Sequence, residues 1–288
     1  MLLKAMQSHL ADMRSVLGID AAWTAIQPSG VALVVDEGSG WRLARVAASY
    51  ASFTAPAGAA PEARPPGRLP DAEALLTACS SMTGSAPALV AIDMPLSRAP
   101  ITARRAADNA VSTAYGARHC STHTPSAVRP GRISDDLTAS FAAAGYPLLT
   151  GGTPEHALIE VYPHPALVEL ARADRRLPYK AGKARAYWPM LPPAERRTNL
   201  LSMWDLIVAL LEREIGGVAD ALTVPTPEAP GVALKAFEDK LDAVVCAWVG
   251  TRVLAGAAIP FGDNDAAIWI PAQSAPIPQQ IEIYSKSP

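Results

Sequence analysis

Two aspartates, Asp239 and Asp242, stand three residues apart in FEDKLDAVVCAW (237–248), where a long apolar run begins. On a helix, positions i and i+3 share a face, so both carboxylates can point at one place. Asp239 has a second reading, as a first-turn acid favoured by the helix dipole. Asp242 is followed at once by AVVCAWV, which puts it beside the apolar face and makes it the stronger of the pair. Three further acids end, or nearly end, short apolar runs: Asp20 in SVLGID, Asp93 in PALVAIDMP and Glu160 in HALIEVYPHPAL. Runs of this kind read as buried strands, and in an open α/β sheet ligands bind at the carboxyl edge. Carboxylates drawn together raise one another's pKa unless a cation neutralises them. Such a cluster is therefore a metal site or no cluster at all, and hard oxygen donors select Mg²⁺ or Mn²⁺. Each acid also has a plainer reading. Asp20 and Asp93 would cap turns at strand ends, and Glu160 would be a half-buried acid paired with an arginine.

The elements that must position these acids follow from the apolar pattern. Strands are expected at 15–20, 30–38 and 41–49, the last two joined by a turn at 38–40 and forming a hairpin or meander. A Pro/Gly/Ala-rich stretch (54–70) reads as an exposed loop, and 71–82 as a helix capped by Asp71. A strand at 87–95 follows, then helices at 101–114 and 132–144 around the polar loop GARHCSTHTPSAVRPGR. The stretch 156–167 reads as a strand running into a helix after Pro163; 194–215 and 233–258 are long helices, and 266–271 and 281–285 short terminal strands. The expected fold class is α/β: a mixed sheet flanked by helices, one domain over 14–288 with a helical and loop-rich insertion at about 98–155 and an N-terminal extension, 1–13.

Composition narrows the function. A chain of 288 residues, half of it apolar, can bury a large core, and a net charge of −2 argues against coating nucleic acid or membrane through bulk charge. Three cysteines (Cys79, Cys120, Cys246) without metal-ligand spacing fit a reducing compartment. With neither a signal-like tract nor a long apolar span, the expectation is a cytoplasmic protein.

In order, GID followed by Trp23, then AIDMPL, EVYPHPAL, YK and DKLDAVVCAW resemble the DUF429 family of predicted ribonuclease H-like nucleases, over about 15 to 271. The resemblance implies a ribonuclease H-like fold and a metal-dependent nuclease-type active site. The helix pair is also similar to the closing D-x-x-D-A signature of RuvC-type Holliday-junction resolvases. By these similarities Asp20, Asp93, Asp239 and Asp242 would be the metal ligands, with Asp20 central, and Glu160 would match the E-V-[YF]-P motif as a further catalytic acid. Two hard cations about 4 Å apart would then activate a water and stabilise the leaving 3′-oxygen of a phosphodiester. Lys180 in PYK, or His164 in YPHP, would orient water or protonate the leaving group.

The implied partner is nucleic acid, and the arginines are distributed to suit it. Residues 98–132 hold six arginines against the single acid Asp108, and 172–197 hold eight Lys/Arg against Asp174 and Glu195. Arg98, Arg104, Arg105 and Arg118 are the candidate substrate contacts; the plainer reading of both segments is a solvated helix face. Two other functions compete. An actin- or hexokinase-like phosphotransferase would need glycine-rich phosphate loops and a repeated sheet, and TGGT (150–153) is a weak candidate for the first. A catalytically silent binding protein would keep the fold and lose an acid.

Overall fold

The computed structural model describes residues 14–56, 58 and 65–272. The extension 1–13 and the strand expected at 281–285 lie outside the described residues.

Continuous apolar runs make the sheet's centre. β1 (Ser15–Asp20) and β2 (Gly30–Asp36) are buried along both faces, and β3 (Trp41–Ala47) alternates between exposed and buried positions. Gly38 and Gly40 take positive φ (78° and 145°) in the turn joining β2 to β3, a backbone region that L side chains rarely enter. A short helix, α1 (Tyr50–Thr54), precedes α2 (Ala72–Thr83), whose cap Asp71 accepts a hydrogen bond from the Ala74 N–H at 3.0 Å. Then come β4 (Leu89–Asp93), α3 (Ala106–Tyr115), α4 (Arg132–Ala143), β5 (Ala157–Val161) and α5 (Pro163–Ala171), the last started by proline at its first position. The remainder is α6 (Ala184–Tyr187), α7 (Pro193–Glu214), β6 (Ile215–Gly216), α8 (Val218–Ala221), α9 (Gly231–Leu254), β7 (Ala258–Gly262) and β8 (Ala267–Pro271).

Eight strands form one sheet in the order β6-β3-β2-β1-β4-β5-β8-β7. β1, β2 and β3 make an antiparallel meander; β4, β5 and β8 continue from β1 in parallel, and β7 closes the edge antiparallel to β8. The expected mixed α/β plan is what the chain adopts. Residues 98–155 are integrated into it. They supply α3, packed on β7 and β8, and α4, whose Leu137 and Phe141 enter one of the cores. The helix expected to run to 258 stops at Leu254, and Gly256 at φ 67° turns the chain into β7. The helix expected from 101 begins at Ala106. Among the described residues no helix is long and apolar enough to cross a membrane.

Side-chain alternation divides the core in two. Val16, Leu89, Ala91, Ile159 and Val161 face α9, α7 and α5. Leu17, Ile19, Val90, Ile92 and Leu158 face α1, α2 and α4. With a period of two, Asp20 follows Val16 and Gly18, and Asp93 follows Leu89 and Ala91, onto the α9 side. Glu160, by the same count, falls on the face of Leu158.

Helix α9 lies close enough to the sheet to make its ends matter. A Cβ at Gly18 would overlap the backbone of Ala243 and Ala247, and one at Gly30 would overlap the backbone of Asp239. Side-chain-free positions on the strands thus let the helix backbone rest on β1 and β2, which brings Asp239 and Asp242 to the carboxyl ends of β1 and β4.

Candidate active site

Four of the expected acids meet at this edge. Asp20 and Asp93 are paired in register across parallel β1 and β4. Burial, then the charges of Asp242 and Asp239, hold Asp20 well above the usual carboxylate range, with Asp93 adding to them and Lys180 opposing. Asp93 is pushed up to about 7, first by burial and then by Asp242 and Glu160, against the pull of Lys180 and Lys235. Burial also raises Asp239, offset in part by Lys235. These shifts describe one event, negative charge gathered where water is scarce. Cys246, one turn beyond Asp242, lies beneath the same acids; burial and the charges of Asp93, Asp20 and Asp242 keep it a thiol.

Two lysines supply the positive charge nearest the helix acids. Lys180 Nζ donates to Asp242 Oδ2 and lies 3.6 Å from Glu238. Lys235 Nζ donates to Asp239 Oδ1 and, at 3.3 Å, to Glu238 Oε1. Tyr179 donates its hydroxyl to Asp242 Oδ1 at 2.8 Å, so both oxygens of Asp242 are engaged. Burial alone would lower the pKa of Lys180, yet Asp242, Tyr179, Asp20 and Glu238 hold it well above the ordinary value. Glu238 also accepts from the Ala181 N–H at 2.6 Å, tying the 3₁₀ turn Ala181–Lys183 to α9. Glu238, Lys235 and Tyr179 were not among the expected site residues. The spacing K-x-x-E-D-x-x-D over 235–242 carries two of them in plain view, because i, i+3 and i+4 share a helix face.

The two helix acids differ in what surrounds them, although both are buried. Asp242 is fully buried behind Tyr179 and Lys180. Asp239 lines the cleft together with Asp20 and Asp93, and its Oδ2 is buried with no hydrogen-bond partner.

Glu160 stands apart from this group. Its Oε2 accepts from the Leu96 N–H (2.7 Å) and from Arg105 Nη1 (2.6 Å), and its Oε1 from Arg105 Nη2 (2.8 Å). Arg105 closes the network on Asp108, which also caps α3 through the Arg105 N–H. The plainer reading, an acid paired with an arginine, is the arrangement found, and the pair forms part of the wall of the narrower cleft lobe. The other candidate arginines each have partners within the fold. Arg118 pairs with Glu169 at 2.6 Å and donates to Ala173 O. Arg104 donates to Asn109, Ser112, Thr124 and the carbonyls of Asp108 and Thr122, holding the polar loop. Arg98 is exposed, donates to Leu148 O, and lines neither lobe of the cleft described below.

The cleft has two lobes. The wider, 760 Å³, holds Asp20, Asp93 and Asp239 at its floor, with Trp23, Ile26, Val232 and Arg129 around it. Arg129 lies over the Trp23 ring, 5.7 Å from its centroid. The narrower, 420 Å³, is lined by Tyr162, His164, Arg176, Tyr179, Lys180 and Lys183. Trp23, Asp93, His123 and Lys235 belong to both. His164 is buried between the rings of Tyr162 and Tyr179, and burial followed by the charges of Arg176 and Lys180 keeps it neutral.

The donor set at the floor suits a hard divalent cation. It consists of carboxylates alone, mutually repelling, with one buried oxygen unmet. As the side chains stand, no three His, Cys, Asp or Glu among the described residues are gathered about one point in a metal-holding group. Lys235 and Lys180 sit on the helix acids instead. A cation would be held by Asp20, Asp93 and Asp239, with Lys235 released from Asp239.

Comparison with known proteins adds one finding. A family model described as a protein of unknown function, DUF429, matches residues 18–267. No curated protein and no solved structure matches the chain.

Proposed function

The chain belongs to the DUF429 family, and from that premise we propose that it is a metal-dependent phosphodiesterase of the nuclease type on a ribonuclease H-like sheet. The observation that carries this reading is the meeting of Asp20, Asp93 and Asp239 on one cleft floor, with an unpartnered buried oxygen on Asp239. An antiparallel β1–β2–β3 meander continued by parallel β4 and β5 supports the ribonuclease H-like architecture.

When bound, Mg²⁺ or Mn²⁺ supplies Lewis-acid activation of water and of the scissile phosphate. The chain's own residues do the rest. Asp20, Asp93 and Asp239 would hold the cation; Asp242, fixed by Tyr179 and Lys180, anchors the helix from which Asp239 projects. Lys180 thereby acts as a positioning residue. The wide lobe, with Trp23 beneath Arg129, offers a ring and a cation to a nucleotide. The phosphotransferase alternative asks for a repeated sheet, whereas the described residues build one.

Incubating the purified protein with single- and double-stranded DNA and RNA, with Mn²⁺ or with EDTA, tests the proposal. Cleavage that needs the metal and is lost in Asp20→Asn supports it. Metal-independent cleavage, or saturable ATP hydrolysis without strand cleavage, overturns it.

A further inference from the structure

Two of the five cations that line the narrow lobe are not engaged by its acids. Glu160 and Asp108 are both taken by Arg105, and Glu238 is held by Lys235 and the Ala181 N–H. Lys180 is taken by Asp242. That leaves Arg176 and Lys183, neither of which forms an ion pair among the described residues.

Two polar atoms in this lining are buried without a partner: Nε of Arg176 and Nδ1 of His164. His164 is only 7% exposed, and the edge-on rings of Tyr162 and Tyr179, each centred 5.3 Å away, fix its plane. Buried polar groups are nearly always hydrogen-bonded, so two orphaned nitrogens in one pocket mark a place where a ligand's acceptors complete the set. A neutral imidazole can present an N–H at Nδ1, and a guanidinium presents its donors in a planar fork matched to phosphate oxygens. The residues that resist a proton on His164, Arg176 and Lys180, are the same ones that would attract an anion.

We propose that the narrow lobe is a phosphate-binding subsite, in which Arg176 and His164 Nδ1 hold a non-scissile phosphate and Lys183 faces it from the adjoining turn. The inference rests on the phosphodiesterase reading in one respect, that this phosphate belongs to the same substrate whose scissile bond lies at Asp20, Asp93 and Asp239. The two lobes share Asp93, His123, Trp23 and Lys235, which places the subsite next to the acids.

The test is a calorimetric titration of the metal-free full-length chain, where cleavage plays no part. Inorganic phosphate probes a terminal phosphate, and a dinucleoside monophosphate with free hydroxyl ends probes an internal diester. Binding of either one, weakened at least tenfold in both Arg176→Gln and His164→Asn and largely restored in Arg176→Lys, supports the subsite and says which phosphate it takes. Asp20→Asn should bind as tightly as wild type or more so, since it removes a nearby negative charge. Unfolding midpoints within a few degrees of wild type show that the variants are folded. A variant that fails this check is replaced in the comparison by the other, and the imidazole ¹⁵N resonances of His164 must then shift on adding phosphate to wild type. No binding of either probe, unchanged affinity in the folded variant, or unmoved His164 resonances overturns the subsite. Failure of strand cleavage with phosphate binding intact would sink the phosphodiesterase reading and leave the subsite standing.

Discussion

Asp20 and Asp93 lie directly opposite one another on parallel neighbouring strands, both turned toward α9. Adjacent strands are about 4.8 Å apart, so the two carboxylates cannot both ionise at low cost in a partly buried setting. The first prediction follows from their titration. Unfolded, an aspartate titrates near 3.9; in the folded chain Asp93 is pushed up to about 7. The folded state therefore binds this proton more tightly. Its stabilising contribution is complete below about pH 4 and is lost as pH rises through about 7. The thermal midpoint of the metal-free protein should fall from pH 5 to pH 8 more steeply in wild type than in Asp93→Asn, and added Mg²⁺ should raise it more at pH 8. Equal slopes in the two proteins would show that Asp93 is not strained by its neighbours.

Asp239 and Asp242 should separate by readout. Asp239→Asn keeps the helix and loses a cleft-facing carboxylate, so the folded midpoint stays close to wild type while activity disappears. Asp242→Asn leaves Lys180 without its closest acid, and breaking a buried pair costs about 3–5 kcal/mol, which chemical denaturation will register. Lys180→Met should be similarly costly. An Asp242→Asn protein as stable as wild type would contradict the anchoring role.

Arg105 should behave as a structural residue. Arg105→Ala leaves Glu160 and Asp108 buried without a cation, again a loss of about 3–5 kcal/mol. Arg105→Lys should recover little, because a lysine cannot reproduce the paired donors that reach both Glu160 oxygens. If Arg105→Ala instead kept its stability and lost substrate affinity, the arginine would belong to the substrate surface after all.

Gly30 tests the closeness of helix and sheet. A methyl there meets the Asp239 backbone, so Gly30→Ala should cost about 1–3 kcal/mol through overpacking. It should also reduce activity by displacing Asp239, while Gly151→Ala, with open space around it and no positive φ, leaves activity unchanged. Equal activity in the two variants would mean that the acid's placement tolerates a shift of α9.

Much of this was written in the chain. Apolar runs ending on Asp20 and Asp93 marked two central strands, and their parallel register put the acids together. The facing of Glu160 was encoded too, but only relative to its neighbours: Ile159 and Val161 pack toward α9, so the residue between them cannot. Deciding which parity was inward required the helix. The partners of the arginines were hidden for a different reason. Residue counts show that a segment is basic and are silent on whether each cation has a partner, and those partners lie far along the chain. Arg105 meets Glu160 across 55 residues and Arg118 meets Glu169 across 51. The feature that distinguishes Arg176 and His164, an unmet buried nitrogen, exists only after folding.

The most direct test of the carboxylate centre is Mn²⁺ binding followed by electron paramagnetic resonance, in wild type, Asp20→Asn and Asp239→Asn, each confirmed as folded. Wild type should take up Mn²⁺ saturably, and both variants should bind at least tenfold more weakly. Mn²⁺ affinity that is the same in all three proteins, or absent from wild type, would contradict the assignment of these acids to a metal.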